Sequence, residues 1–217
     1  HDDPDKARAI FLAAAKLGSG TYSLSNLVGS WALVGLDVSS TESRWVRGGI
    51  VIAADGSFTG AVADSSGASG PLTGTMAISP GGEVTSSINP TWRGGLCAGK
   101  DVIFATQIRG AGRLEMDVLV RQLGPFDISG LAGRHGLASL VCSAPPGRSE
   151  SSLIIGDTGR FRRATTLTDS LGTRVEAAAG TLEYAPTGIL TMVGDANWMG
   201  VASPARSFIA SNLNGGA

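Results

Sequence analysis

Leu27-Val28-Gly29-Ser30-Trp31-Ala32-Leu33-Val34-Gly35-Leu36 returns about 104 residues later as Leu131 to Leu140, and this return decides how the chain is read. Landmarks on either side recur in the same order. Ile50-Val51-Ile52 with Asp55-Gly56-Ser57-Phe58 matches Leu153-Ile154-Ile155 with Thr158-Gly159-Arg160-Phe161. Gly74-Thr75-Met76 through Pro80, Gly82 and Thr85 matches Gly180-Thr181-Leu182 through Pro186, Gly188 and Thr191. Ile103-Phe104-Ala105-Thr106 matches Phe208-Ile209-Ala210-Ser211. Turn residues and apolar positions that hold register over a whole unit mark an internal duplication.

Between these landmarks the chain reads as short alternating segments bounded by Gly, Asp, Pro and Ser, the pattern of an up-and-down meander. In the first copy the spacing predicts strands near Trp31–Val38, Trp45–Ala53, Ser57–Ala63, Leu72–Ser79, Glu83–Ile88, Val102–Ile108 and Leu114–Arg121. Asp55-Gly56 and Gly81-Gly82 are hairpin turn signals, and Gly94 to Lys100 reads as a glycine-rich loop. Its spacing fits a phosphate loop, but Asp101 stands where Ser or Thr would meet magnesium, and a strand follows where a helix is required.

Before the repeats, Asp3-Pro4 followed by Ala7, Ile10, Phe11, Ala14 and Leu17 predicts a short amphipathic helix stopped at Gly18. The expected fold class is all-β: two tandem homologous antiparallel meander or barrel-like units preceded by a short N-terminal helix. The expected division is 1–25 helix and linker, 26–124 first unit and 125–217 second unit.

The second copy has no counterpart to Arg113 through Gln122. A meander without its last strand leaves an edge of unpaired N–H and C=O groups. The strand that covers it could come from Thr21 to Leu24, from another chain by strand addition, or from residues beyond 217.

Composition narrows the function classes. Charged residues are 16% of the 217, and 17 Lys and Arg balance 18 Asp and Glu, so the basic excess that nucleic acid or an anionic membrane calls for is missing. Arg160 and Arg162 alternate around Phe161, with Arg163 beside them, which reads as a solvated strand face. No run approaches the ~18 apolar residues of a membrane span. Few Lys, many Gly and Ser, and a first residue His1, read as a processed N-terminus, suit a secreted or cell-surface protein. Cys97 and Cys142 are the only cysteines. They either pair as an inter-unit staple or stand as two free thiols.

At Gly29-Ser30-Trp31 the opening stretch resembles the lipocalin and wider calycin families, whose first strand begins Gly-x-Trp and whose last strand carries an Arg stacked on that Trp. Arg121, at the end of Val118-Leu119-Val120-Arg121, stands in the matching place. The resemblance implies a small antiparallel barrel over about 27–122 with an internal pocket for a small apolar ligand, lined by Trp31, Leu33, Ile52, Phe58, Ile103 and Arg121. The second copy departs from it, with Gly133-Arg134-His135 where the Trp falls.

Chemistry is sparsely indicated. His1 and His135 are the only histidines, and a copper clasp on an N-terminal His is the one metal arrangement they suggest. No Gly-x-Ser-x-Gly occurs, and Asp64, Asp101, Glu115 and Asp117 read as solvated positions. The expectation is therefore a non-catalytic structural protein without cofactor or metal, self-assembling into an oligomer or filament. Ile10, Phe11, Leu17, Tyr22 and Leu24 are its assembly residues, and strand addition completes the second unit. The alternative is a lipocalin-like binding module, and a copper-dependent enzyme using His1 comes third.

Overall fold

The computed structural model describes residues 21–39, 43–110, 113–124, 127–141, 147–169, 172–185, 189–202 and 208–212. The expected helix over Asp3–Leu17, with Ile10, Phe11 and Leu17, lies outside them, as do His1 and Cys142. The chain divides into two compact units, residues 1–123 with 200–217, and residues 124–199.

The first repeat forms β1 Gly29–Val38, β2 Ser43–Ile52, β3 Ser57–Asp64, β4 Ser69–Ile78, β5 Glu83–Ser86, β6 Arg93–Leu96, β7 Val102–Arg109 and β8 Arg113–Gln122. Each pairs antiparallel with its sequence neighbour, and β8 returns to β1, closing an eight-stranded barrel. Closure leaves no strand edge, and eight strands enclose an interior just wide enough for side chains or one small ligand. The strand the sequence does not predict is β6. Gly94 and Gly95 read as loop, yet they pair with Ala105 and Phe104, where a Cβ on Gly94 would press on Ala105 and Ile103 at 3.1 Å.

Inward positions carry the core. Trp31, Ile50, Ile52, Phe58, Val84, Leu96, Ile103 and Leu119 are buried in one cluster, which Trp92 and Tyr22 join from outside the strands. Met76 is buried and Ile78 half-buried, while Thr75, Ala77 and Ser79 are exposed, the one wet and one dry face that the alternation predicts. The outward faces of β1 and β8 are buried as well. Ala32, Val34, Val118 and Val120 pack with Val201, a residue of the same compact unit.

Thr21 to Leu24, expected as an extended segment, is not a strand. Leu24–Asn26 make a single 3-10 turn with Ser23 as its cap. Tyr22 N donates to Pro80 O at 3.1 Å, its ring is buried in the barrel core, and Leu24 packs against that core. These two residues therefore cover their own barrel, and neither enters a ladder of the second sheet.

The second repeat forms β9 Gly133–Val141, β10 Gly147–Ile155, β11 Arg160–Asp169, β12 Gly172–Tyr184, β13 Ile189–Met192, β14 Asp195–Ala202 and β15 Phe208–Asn212. They make a seven-stranded meander from β9 to β15, and among the described residues no strand closes it. On β11, Arg160 and Arg162 are exposed on either side of buried Phe161, as their alternation predicts.

The duplication reaches atomic detail. Asp127 caps a 3-10 turn at Ile128–Leu131, at the place Ser23 holds before Leu24–Asn26. Gly56 and Gly159 sit at φ +84° and +80°, each where a Cβ would strike a carbonyl, of Met76 at 2.6 Å and of Leu182 at 2.3 Å. Only glycine takes such a position without strain.

Candidate functional site

Alternation along β8 aims Arg113, Glu115, Asp117, Leu119 and Arg121 at one face, and the ladders set their neighbours. Arg121 lies opposite Trp31, Leu119 opposite Leu33 and Ile103, Asp117 opposite Gly35 and Ala105, and Glu115 opposite Asp37 and Gln107. The barrel interior is thus apolar at the Trp31 end and ionic at the Asp37 end.

The apolar end is shut. The Arg121 guanidinium lies 4.6 Å from the centre of the Trp31 ring. It donates through Nε to Lys100 O at 3.0 Å, through Nη1 to Val28 O at 2.9 Å, and through Nη2 to Asn26 O. Trp31, 1% exposed, donates from Nε1 to Leu27 O at 2.6 Å. One cation thereby holds the 3-10 turn across the barrel end and satisfies three carbonyls that strand pairing leaves free.

The other end holds buried charge. Glu115 and Asp117 are each 2% exposed. Asp37 is gripped by Arg113, with Nε at 3.0 Å and Nη2 at 2.6 Å, the bidentate geometry that suits a guanidinium and a carboxylate. Arg109 Nη2 donates to Glu115 Oε1 at 3.2 Å, and its Nε touches Oε2 without the angle of a hydrogen bond. Asp117 Oδ2 accepts from Trp92 Nε1 at 2.9 Å and Gln107 Nε2 at 3.2 Å, and Gln107 Oε1 accepts from Asn89 at 2.8 Å.

Asp117 Oδ1 has no donor. Its room exists because residue 35 is glycine: a Cβ there would lie 2.5 Å from Oδ1. Burial pushes the Asp117 carboxyl well above the usual carboxylate range, and the negative charge of Glu115 beside it adds to the shift. The expectation of solvated positions therefore fails for Glu115 and Asp117. It holds for Asp64, which anchors an exposed turn through Ser66 and Ala68.

A cavity of about 50 Å³ opens beside this pair, its walls including Leu33, Phe58, Met76, Trp92, Glu115 and Asp117. Drug-sized ligands need pockets of about 300–1,000 Å³, so the space suits only a few heavy atoms. Of the six residues the lipocalin resemblance implies, Leu33 and Phe58 line the cavity, Ile52 and Ile103 are packed into the core, and Trp31 and Arg121 form the shut end. What the sequence reading missed is the ionic half, Trp92, Gln107, Arg109, Glu115 and Asp117. The available signal was parity: Glu115 and Asp117 share the face of Leu119 and Arg121.

The remaining candidate residues lie elsewhere. Cys97 carries a free thiol whose Sγ donates to Asp101 Oδ1 at 3.0 Å. His135 Nε2 is 2.7 Å from Leu131 O, so that nitrogen carries hydrogen. Among the described residues no three His, Cys, Asp or Glu side chains gather where they could hold a metal ion, and no helix is long and apolar enough to cross a membrane. No protein-family model matches the chain, and no curated protein matches it.

Proposed function

We propose that the first unit is a lipocalin-like, non-catalytic binding module for a small ligand, carried by a secreted or cell-surface chain. The observation that carries this reading is Asp117 Oδ1, a buried acceptor without a donor beside a cavity. Buried polar atoms in folded proteins are almost always paired, and one without a partner, in a side chain that lines a cavity, is a group that a ligand can satisfy. The Arg121–Trp31 stack at the shut end is the arrangement that the lipocalin resemblance implies, and it supports the family reading. Fragments of up to about four heavy atoms, titrated while the Trp92 indole N–H is followed by NMR, test it. Saturable shifts at Trp92 are expected; no saturable shift with any fragment would exclude a binding function for this cavity.

A second reading rests on a different observation. The first repeat closes through β8 on β1, whereas β9, the counterpart of β1, has no second neighbour among the described residues. Such an edge accepts a strand from another chain, which would make the protein self-associate. Sedimentation over a wide concentration range, with and without a peptide of sequence 113–122, tests this: a strict monomer that ignores the peptide would end it.

A further inference from the structure

One outward row of the second sheet differs in charge from its counterpart in the barrel. Ladder register sets Arg134 on β9 opposite Ile154 on β10, and Ile154 opposite Arg162 on β11. Arg160 stands two residues from Arg162 on the same face. All four residues are exposed, Ile154 at 49%. The matching row of the barrel is Ser30, Val51 and Thr59, with Ser57 in the place of Arg160. Where the barrel has three hydroxyls around a branched aliphatic, the second sheet has three arginines around another. Arg134 and Arg162 sit two strand spacings apart, about 10 Å, and Arg160 about 7 Å along the strand from Arg162. Asp157 lies in the turn before Arg160, and Glu183 lies two residues beyond Thr181, the ladder partner of Arg160. Neither takes up the charge: among the described residues none of the three arginines is ion-paired. Like charges this close on one face repel, and no described side chain offsets them.

We propose that this face binds an acidic polysaccharide, a chain carrying carboxylate or sulfate groups at regular intervals. The guanidinium forks of Arg134, Arg160 and Arg162 take its anionic groups, and Ile154 gives a sugar ring an apolar contact between them. Ser152, Ala164 and Ala179 beside them are small and exposed, so the face is open and a ribbon-like chain can lie flat across it. An acidic peptide gains less here. Strands β10 and β11 are paired on both sides, so their main chains offer it no hydrogen bonds, and a flexible chain loses more freedom on binding than a stiff one. Nucleic acid gains less as well, because among the described residues no aromatic side chain of β9 to β12 shares this face for bases to stack on. The barrel cavity plays no part, so the assignment stands or falls apart from the small-ligand reading.

The test titrates polygalacturonate and dextran sulfate into the full chain by calorimetry, with neutral dextran, poly-glutamate and a single-stranded oligonucleotide as comparisons. Saturable binding of at least one acidic glycan is expected, weakening steeply with added salt as contacts between exposed charges do. Neutral dextran should be inert. Arg134→Ser, Arg160→Ser and Arg162→Thr install the residues of the first repeat; each should weaken binding about threefold, and the three together about thirtyfold. All three side chains are exposed, so circular dichroism should show the fold intact. Arg174→Ser removes an exposed charge from the opposite face of the same sheet and should leave the affinity unchanged. Unaltered binding by the triple variant, or an equal loss in Arg174→Ser, would overturn the site. Poly-glutamate, the oligonucleotide or neutral dextran binding as tightly as the better acidic glycan would overturn the choice of partner, and so would a failure of both acidic glycans to bind.

Discussion

Trp31 and His135, equivalent residues of the two repeats, make the same hydrogen bond. The indole Nε1 donates to Leu27 O at 2.6 Å and the imidazole Nε2 to Leu131 O at 2.7 Å, each reaching four residues back along the chain. Two side chains of different shape have kept one donor in one place. Trp31→Phe leaves a buried carbonyl without its donor and is expected to cost about 1–3 kcal/mol. His135→Phe should cost less, since the imidazole it replaces is only half-buried where Trp31 is fully buried. Chemical denaturation of both variants checks the order.

Asp117 ties stability to pH, and the sign follows from its raised value in the folded state. Below about pH 4 an unfolded-state aspartate is also protonated, and the contribution is fully present. As pH rises the unfolded chain ionises first, so stability falls until the folded carboxyl also titrates. Asp117→Asn, which is neutral and whose oxygen can still accept from Trp92 and Gln107, should match wild type near pH 4. The variant should exceed it increasingly towards pH 8, by about 1.4 kcal/mol for every pH unit between the titration of Asp117 in the unfolded chain and its titration in the fold. Urea denaturation at a series of pH values measures the difference; parallel curves would mean that Asp117 is not protonated in the fold.

Gly35→Ala should be costly despite its small size. The added methyl meets Asp117 Oδ1 at 2.5 Å and Met116 O at 3.2 Å, so either the carboxyl turns away or the β1–β8 ladder shifts. A loss of about 1–3 kcal/mol is expected, readable from the thermal midpoint. Combining the substitution with Asp117→Ala should recover much of it, because the atom it strikes is gone.

Gly56→Ala and Gly159→Ala address the repeat itself. Both positions have positive φ and face a carbonyl oxygen, so each substitution should destabilise by about 1–3 kcal/mol. Protease susceptibility mapped along the chain should rise in the first unit for Gly56→Ala and in the second for Gly159→Ala.

How far the sequence reveals this molecule depends on which constraint a residue obeys. Gly56 and Gly159 answer to backbone geometry, and Phe58 and Phe161 to burial, so both pairs keep their identity across the copies. The duplication, the all-β class and the lack of a counterpart to β8 among the described residues are legible for that reason. Strand β6 is not, because Gly94 is there for close packing against Ala105 and Ile103, and glycine in sequence signals a turn. Glu115 and Asp117 mislead for another cause. They alternate with Met116, Val118 and Val120, which mark the opposite face as the dry one, whereas β8 is buried on both faces and its carboxylates point into the barrel. The N-terminal helix and Cys142 fall outside the described residues, so the expectations built on them gain nothing from the fold.

Arg121 also bears on the order of events in folding. Its guanidinium joins Asn26 and Val28 to a strand more than ninety residues further along, and such a contact forms only after the intervening strands are in place. Interactions made late are absent from the transition state. Arg121→Ala should therefore leave the refolding rate nearly unchanged and accelerate unfolding, placing the whole loss on one limb of the kinetic profile. In the second repeat no described residue plays this part, and that unit should unfold without a comparable brake.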